Sequence, residues 1–339
     1  MASATTKPNY YGILEVSETA RPEVIKAAYI ALMKEYHPDK VNGSEKMAKL
    51  LNEAYNLLSD PKKRASYDER KKTALGTVIG NVRILKEIAE GGFGTTYLGE
   101  HLITGEPVCV KHCHHVSAQS DEILIQEARA VWDLRHYSLP VMRDLVRLED
   151  GSLALVMSYI PGPTLEQIVS KSGPLDPEHV AWITERVLNA LMYLHSHGVV
   201  HGDIKPQNII IQPTSHQATI VDFGLSMVKP RSDSVPKGYT PVFSPPEQLN
   251  GTPLVPESDL YALGMTMIYA LSGSTEAAAR LEVPKNVPDP LCRFIKRLIV
   301  RSVLSRPNWK SENIFESFRQ AREASFGRSG SGMKPIPGF

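Results

Sequence analysis

Apolar residues at Ile25, Ala28, Tyr29, Leu32 and Tyr36 recur at the 3.6-residue spacing of a helix. Pro22 and Glu23 suit its first turn. Proline fits there because the N–H it lacks has no intrahelical partner, and glutamate meets the positive end of the helix dipole. His37-Pro38-Asp39 stops the helix, since proline disfavours helical geometry in the residue before it. A second stripe, Met47, Leu50, Leu51, Ala54 and Leu58, predicts another helix, ended by Asp60-Pro61, and KKRASYDER begins a short basic third. Two helices joined by a turn form an antiparallel hairpin with one shared apolar seam. Residues 9–70 therefore read as a small all-α unit.

Residues 71–82, KKTALGTVIGNV, read as a connector. From 83 to 323, strand-like runs alternate with helical ones. Strands flank a glycine cluster in IAEGGFGTTYL (88–98), and another strand ends at Lys111. A helix holds Glu127, and residues 180–200 predict a long helix followed by a strand. The longest apolar stretch, Leu260–Ser272, falls well short of the ~18 residues that span a bilayer and predicts a buried core helix. The last stretch, 327–339, is rich in Gly, Ser and Pro, and a disordered tail is expected over 324–339. The first residues carry no charged start followed by an apolar run, so no secretory signal is expected. No internal repeat is present.

Composition narrows the function class. The chain has 339 residues, 42% hydrophobic and 22% charged, which excludes a wholly disordered or low-complexity chain. Lys and Arg number 38 against 37 Asp and Glu, and this balance argues against a nucleic-acid partner. No membrane partner is expected either. Three cysteines, Cys109, Cys113 and Cys292, make no disulfide framework and suit a reducing, cytoplasmic setting.

The candidate chemistry concerns phosphate. Glycines let backbone N–H groups approach phosphate oxygens closely, although a glycine-rich hairpin alone is common. Lys111 is either solvated or a phosphate ligand, and Glu127 is either solvated or its partner. Two further runs, His201-Gly-Asp-Ile-Lys-Pro-Gln-Asn208 and Ile220-Val-Asp-Phe-Gly224, gather two acids and an amide on loops. Those are hard-oxygen ligands and a base, as Mg²⁺ and a hydroxyl nucleophile require. His112-Cys113-His114-His115 lacks a second His/Cys pair at zinc spacing, and a solvated strand end explains it as well. Cys109 reads as a buried structural thiol, with a reactive thiol near a nucleotide as the alternative.

Family resemblance enters with these motifs. NYYGILEVS (9–17), YHPDK (36–40) and LNEAYNLLSDPKKRASYD (51–68) closely resemble a J-domain. The resemblance implies that His37, Pro38 and Asp39 contact a DnaK-type chaperone and stimulate its ATPase. One departure is visible. The helix before HPD keeps Lys26 and Lys34 but has Ile30, Ala31 and Glu35 where Arg or Lys is common, which weakens charge complementarity with an acidic chaperone surface. The competing reading is a J-like fold used only for docking or solubility.

The larger unit resembles a eukaryotic-type protein kinase. The glycine-rich loop, VCVK, HGDIKPQN, DFG, SPPE (244–247) and SDLYALG (258–264) stand in the family order. The implied fold class is α+β, a bilobal kinase fold preceded by the all-α J-domain hairpin. By resemblance, Gly91, Gly92 and Gly94 cover the ATP phosphates. Lys111 holds two of them and is fixed by Glu127. Asp222 and Asn208 ligate Mg²⁺, Asp203 orients the substrate hydroxyl, and Lys205 contacts the γ-phosphate. Ala89, Thr96 and Cys109 line the adenine pocket, Met157 is the gatekeeper, and the backbone of Ser158 and Ile160 bonds adenine. Glu247 pairs with Arg306, and Asp259 braces the catalytic loop. The lysine of HGDIKPQN and Thr240 point to protein Ser/Thr substrates.

Departures from the family are Ala89 for the first glycine, Thr96 for a valine, Cys109 for an alanine and Gly202 for the arginine of HRD. The first three predict altered nucleotide affinity. Without the arginine, a phosphate on Ser226, Ser232 or Ser234 has no obvious partner, so activity independent of loop phosphorylation is expected. Two other readings stand beside a protein kinase: a non-catalytic or weakly active adaptor whose J-domain is the effector, and a small-molecule kinase.

Overall fold

A computed structural model describes residues 10–17, 19–36, 45–64, 68, 76–91, 94–113, 118–212 and 215–328. His37, Pro38, Asp39, Gly92, His114 and His115 lie outside the described residues, as do 329–339 of the tail. The chain groups into two compact units, one of Met1–Leu124 with Arg143–Met157, the other of Ile125–Met142 with Ser158–Phe339.

In the first unit, helices Tyr10–Ile13, Pro22–Tyr36 and Glu45–Leu58 share one apolar seam. Tyr11, Leu14, Ile25, Leu51, Ala54 and Leu58 are its buried centre. Tyr29 and Tyr55 stack at 4.3 Å, and the Tyr29 hydroxyl donates to Asn52 Oδ1 at 2.7 Å. Residues 61–64 are helical, and Asp60 Oδ1 caps them by accepting from the N–H groups of Lys62 (2.9 Å) and Lys63 (3.2 Å). Tyr11 closes the far side of the seam: its hydroxyl donates to Asp68 at 2.8 Å and accepts from Arg64 Nε at 2.8 Å. On Pro22–Tyr36, Val24 and Ile30 are both 44% exposed, so the helix carries apolar surface, including at Ile30, one of the positions where the family commonly has a basic residue.

The same unit holds a sheet in the order β1-β2-β3-β4-β6-β5. Its strands are β1 (Val78–Ile79), β2 (Val82–Gly91), β3 (Gly94–His101), β4 (Pro107–Cys113), β5 (Met142–Arg147) and β6 (Leu153–Ser158). The expected connector is therefore too long. Ile79 and Val82 are buried and pair across a turn, so the chain joins the sheet before residue 83. Side chains alternate along β3 and β4, and Tyr97, Val108 and Val110 face a core with Ile84, Ala154 and Val156.

The second unit is mostly helical. Pro256–Ser272 is its axis, with every residue from Glu257 to Leu271 buried, as the apolar stretch predicts. Pro177–Ser196 packs on it, capped by Asp176 and started by Pro177. Two short antiparallel pairs complete the frame: β7 (Val199–Val200) with the distant β10 (Met227–Val228), and the hairpin of β8 (Ile209–Gln212) with β9 (Gln217–Ile220). The expected tail boundary also moves. Helix Ile314–Phe326 runs past residue 323 and ends at a left-handed Gly327 cap. Its end is held by ion pairs, Arg322 with Glu185 and Arg328 with Glu178. Among the described residues, no helix is long and apolar enough to cross a membrane.

One buried ion pair ties the short helix Pro246–Leu249 to this frame. Arg306 Nη1 and Nη2 reach Glu247 Oε1 and Oε2 at 2.6 and 2.9 Å, a bidentate fork. Ser258 adds a hydroxyl donor to Glu247 at 2.8 Å, and the guanidinium lies 4.7 Å from the Tyr261 ring centroid. Glu247→Ala leaves that guanidinium buried and unpaired, and chemical denaturation is expected to show a loss of about 3–5 kcal/mol.

Candidate active site

The glycine-rich hairpin is set by register. Gly91 pairs with Gly94, Ala89 with Thr96, and Thr96 with Lys111. Ala89, Thr96 and Lys111 thus form one row across three strands. Directly opposed residues share a face, and so do residues two apart, which adds Cys109 to that face. It is the face opposite Tyr97, Val108 and Val110. Gly94 must be glycine, since a Cβ would lie 2.2 Å from the His112 carbonyl oxygen and φ is +146°. Cys109 is half-buried rather than buried, because it faces away from the core of Tyr97, Val108 and Val110, while Cys113 is buried at the end of the strand. His112 Nε2 lies 2.9 Å from Ser152 Oγ.

In the second unit, Glu127 is buried on helix Ala118–Val131. Ser158 N–H donates to the Val141 carbonyl at 2.8 Å, and Ser158 Oγ accepts from Val141 N–H at 2.9 Å, which fixes the chain just after Met157. Ile160 follows in an irregular, half-buried stretch.

The loop His201–Asn208 is built around Asp203. Asp203 Oδ1 accepts from the Thr240 hydroxyl at 2.6 Å. Its Oδ2 accepts from Asn208 Nδ2 at 3.0 Å and lies 2.8 Å from Lys205 Nζ. Lys205 Nζ also donates to Thr240 Oγ1 at 3.2 Å. A carboxylate, an ammonium and a hydroxyl therefore converge on one point, where a hydroxyl nucleophile can be aligned and charge on a transferred group can be met.

Asn208 and Asp222 are brought together by the β8–β9 hairpin. Ile209 pairs with Ile220, and Val221 N–H donates to the Asn208 carbonyl at 2.9 Å. Asp222 has φ +65°, an uncommon conformation for a non-glycine residue, and its Oδ1 accepts from Gly224 N–H at 3.3 Å. The Asn208 amide nitrogen is spent on Asp203 and its carbonyl, which leaves Oδ1 as the free end of that amide. Asn208 and Asp222 thus offer hard oxygens that suit Mg²⁺. Among the described residues, no group of three or more His, Cys, Asp or Glu could hold a metal alone, so phosphate and water oxygens must complete such a shell.

Beneath the loop, Asp259 accepts from His201 N–H and Gly202 N–H at 2.8 Å each, and from His195 Nε2 at 2.8 Å. His195 Nδ1 in turn accepts from Trp309 Nε1 at 2.8 Å. The motif reading found Asp259 but missed His195 and Trp309, whose partners lie 64 and 114 residues away in the chain. It also missed Gln248, the residue directly after SPPE. Gly202 has φ +75°, and a Cβ there would lie 2.8 Å from the Leu225 carbonyl oxygen and 2.9 Å from Leu254 Cδ1. Of the three loop serines, Ser226 is buried and donates to the Phe223 carbonyl at 2.6 Å.

The protein kinase domain model matches residues 82–313, and the DnaJ domain model matches 9–68. The chain belongs to the protein kinase family and carries an N-terminal DnaJ domain. It is 30% identical over 260 residues to serine/threonine-protein kinase pkn3 of Myxococcus xanthus, covering 68% of this chain and 47% of that protein. It is 28% identical over 279 residues to serine/threonine-protein kinase PkaA of Streptomyces coelicolor, covering 72% and 51%. Serine/threonine-protein kinase PrkC of Bacillus subtilis is 32% identical over 204 residues, covering 58% and 31%. The chain spans about a third to a half of the length of these curated relatives.

His201 is buried against the Phe223 ring at 4.8 Å, and its Nδ1 accepts from Asp203 N–H at 3.2 Å. Burial pushes its pKa below the ordinary 6.5, against the opposing pull of Asp259, Asp203 and Asp222. His136 is lowered too, again chiefly by burial. As pH falls through about 6.5, the unfolded chain takes up these protons and the folded chain does not, so stability is lost on acidification. Thermal melts from pH 8 to 5.5 are expected to fall in the acidic limb, by up to about 1.4 kcal/mol per pH unit for each group. His201→Phe is expected to flatten that limb in part, with His136 supplying the rest.

Proposed function

We propose that this chain is a protein serine/threonine kinase that transfers the γ-phosphate of ATP to protein hydroxyls. The observation that carries the reading is the convergence of Lys205, Asn208 and Thr240 on the Asp203 carboxylate. Asp203 accepts or orients the substrate hydroxyl proton, and Lys205 meets charge on the transferred phosphoryl group. Asn208 and Asp222 hold Mg²⁺, which neutralises phosphate charge when bound. Gly91, Gly92 and Gly94 cover the phosphates, Lys111 holds two of them, and Glu127 is a further catalytic candidate. Ala89, Thr96, Cys109, Met157, Ser158 and Ile160 are the nucleotide-binding candidates. Thr240 bridging Lys205 and Asp203 supports a serine or threonine acceptor, because it holds the ammonium within the site. Labelled ATP with Mg²⁺ and generic protein substrates is expected to place label on serine or threonine. Asp203→Asn is expected to lower the rate about 100- to 10,000-fold, and Asp222→Asn to abolish transfer. Loss of neither would sink the assignment.

The N-terminal domain is proposed to recruit a DnaK-type chaperone to the kinase, in a cytoplasmic setting, through His37, Pro38 and Asp39. The DnaJ match over 9–68 supports this reading. Purified protein is expected to stimulate the ATPase of such a chaperone, and His37→Gln to remove the stimulation. No stimulation by the wild-type protein would reduce the domain to a passive dock, and equal stimulation by both proteins would remove His37 from the contact.

A further inference from the structure

Gln248 is 4% exposed and stands beside Glu247 in the short helix Pro246–Leu249. Its side-chain Nε2 donates to two backbone carbonyls, Gly202 at 2.8 Å and Gly238 at 2.8 Å. An amide NH₂ has two protons to give, and both are used here. The two acceptors belong to different segments. Gly202 directly precedes Asp203 in the catalytic loop. Gly238 lies two residues before Thr240, whose hydroxyl donates to Asp203. One buried amide therefore bridges the two strips of backbone that carry the Asp203–Thr240 contact.

The surroundings make this bridge rigid. Glu247 locks the helix to Arg306, so the Gln248 backbone is anchored independently of the segments it ties. Leu225 fills the space between them: its carbonyl closes on Gly202, and its Cδ2 lies 3.3 Å from where a Cβ on Gly238 would stand. Side chains larger than hydrogen at 202 and 238 would compete with Leu225 for that space. The tether is neutral and involves no phosphate. Thr240 N–H donating to Ser244 Oγ at 2.8 Å extends the neutral network towards the helix.

We propose that Gln248 is a positioning residue for phosphoryl transfer: it holds residues 236–242 against the catalytic loop in an unmodified chain, so that Thr240 meets Asp203. The proposal deepens the kinase reading and rests on it for its kinetic arm. Gln248→Met keeps the shape and removes both donors, and Gln248→Glu replaces the donors with oxygens that face two carbonyls. Two lost buried hydrogen bonds are expected to lower kcat about 10-fold or more, with KM for ATP within about twofold of the wild type. Hydrogen exchange of the amides in 236–242 is expected to speed up by a similar factor in both variants. Gln248→Asn, one methylene shorter and still a donor, is the milder variant, and its effects are expected between those of wild type and Gln248→Met. Wild-type kcat with unchanged exchange in the Met and Glu variants would overturn the proposal. If the wild-type chain transfers no phosphate, the kinase reading fails, and the exchange measurement alone still decides whether Gln248 tethers the segment.

Discussion

The Asp259 carboxylate is the point on which the site depends. It is 1% exposed, on a helix buried along its whole length, and a charge in that position is costly unless its lone pairs are filled. Two are filled by the N–H groups of His201 and Gly202 and another by His195. The cost of burying the charge thereby becomes a geometric constraint. The chain entering Asp203 must present consecutive amides downward, which fixes where the Asp203 side chain emerges. Trp309, by donating to Nδ1, leaves the His195 proton on Nε2, aimed at Asp259.

Above that support, neutral groups carry most of the alignment. Thr240, Ser244 and Gln248 tie the segment after Phe223 to the catalytic loop through hydroxyls and an amide. The strong ionic contact, Glu247 with Arg306, sits one residue away from the site and anchors the platform. Such a division suits the phosphoryl transfer proposed above, in which Asp203 and Lys205 respond to moving charge. Their neighbours are dipoles already oriented, which cost little reorganisation when charge moves.

The N-terminal domain follows a simpler logic. Its core is small, so tyrosines supply much of it, and the hydroxyls of Tyr11 and Tyr29 find partners at the edge of the seam. The exposed Val24 and Ile30 on its longest helix give that face a chemistry unlike a basic stripe. A partner drawn to it by charge has only Lys26 and Lys34 to meet.

Helical periodicity and proline and glycine punctuation were enough to place Pro22–Tyr36, the buried helix within 260–272 and the long helix within 180–200, because those signals are local. Asp203, Lys205, Asn208 and Asp222 were legible for the same reason: their residue types sit at short, ordered spacings. Boundaries were less legible. The connector proved to hold β1, whose two residues are strand only because β2 pairs with them. Residues 324–326 are helical because the end of that helix is pinned by Glu185 and Glu178, more than a hundred positions away. His195, Trp309 and Gln248 could not be found by spacing at all. Each acts through a partner far along the chain, and a histidine, a tryptophan or a glutamine in isolation has no chemistry that announces it. The sequence by itself determined which groups are available and which faces are apolar. Only the tertiary structure decided which carbonyl meets which donor, because a hydrogen bond is settled within a few tenths of an ångström, and no local pattern carries that precision.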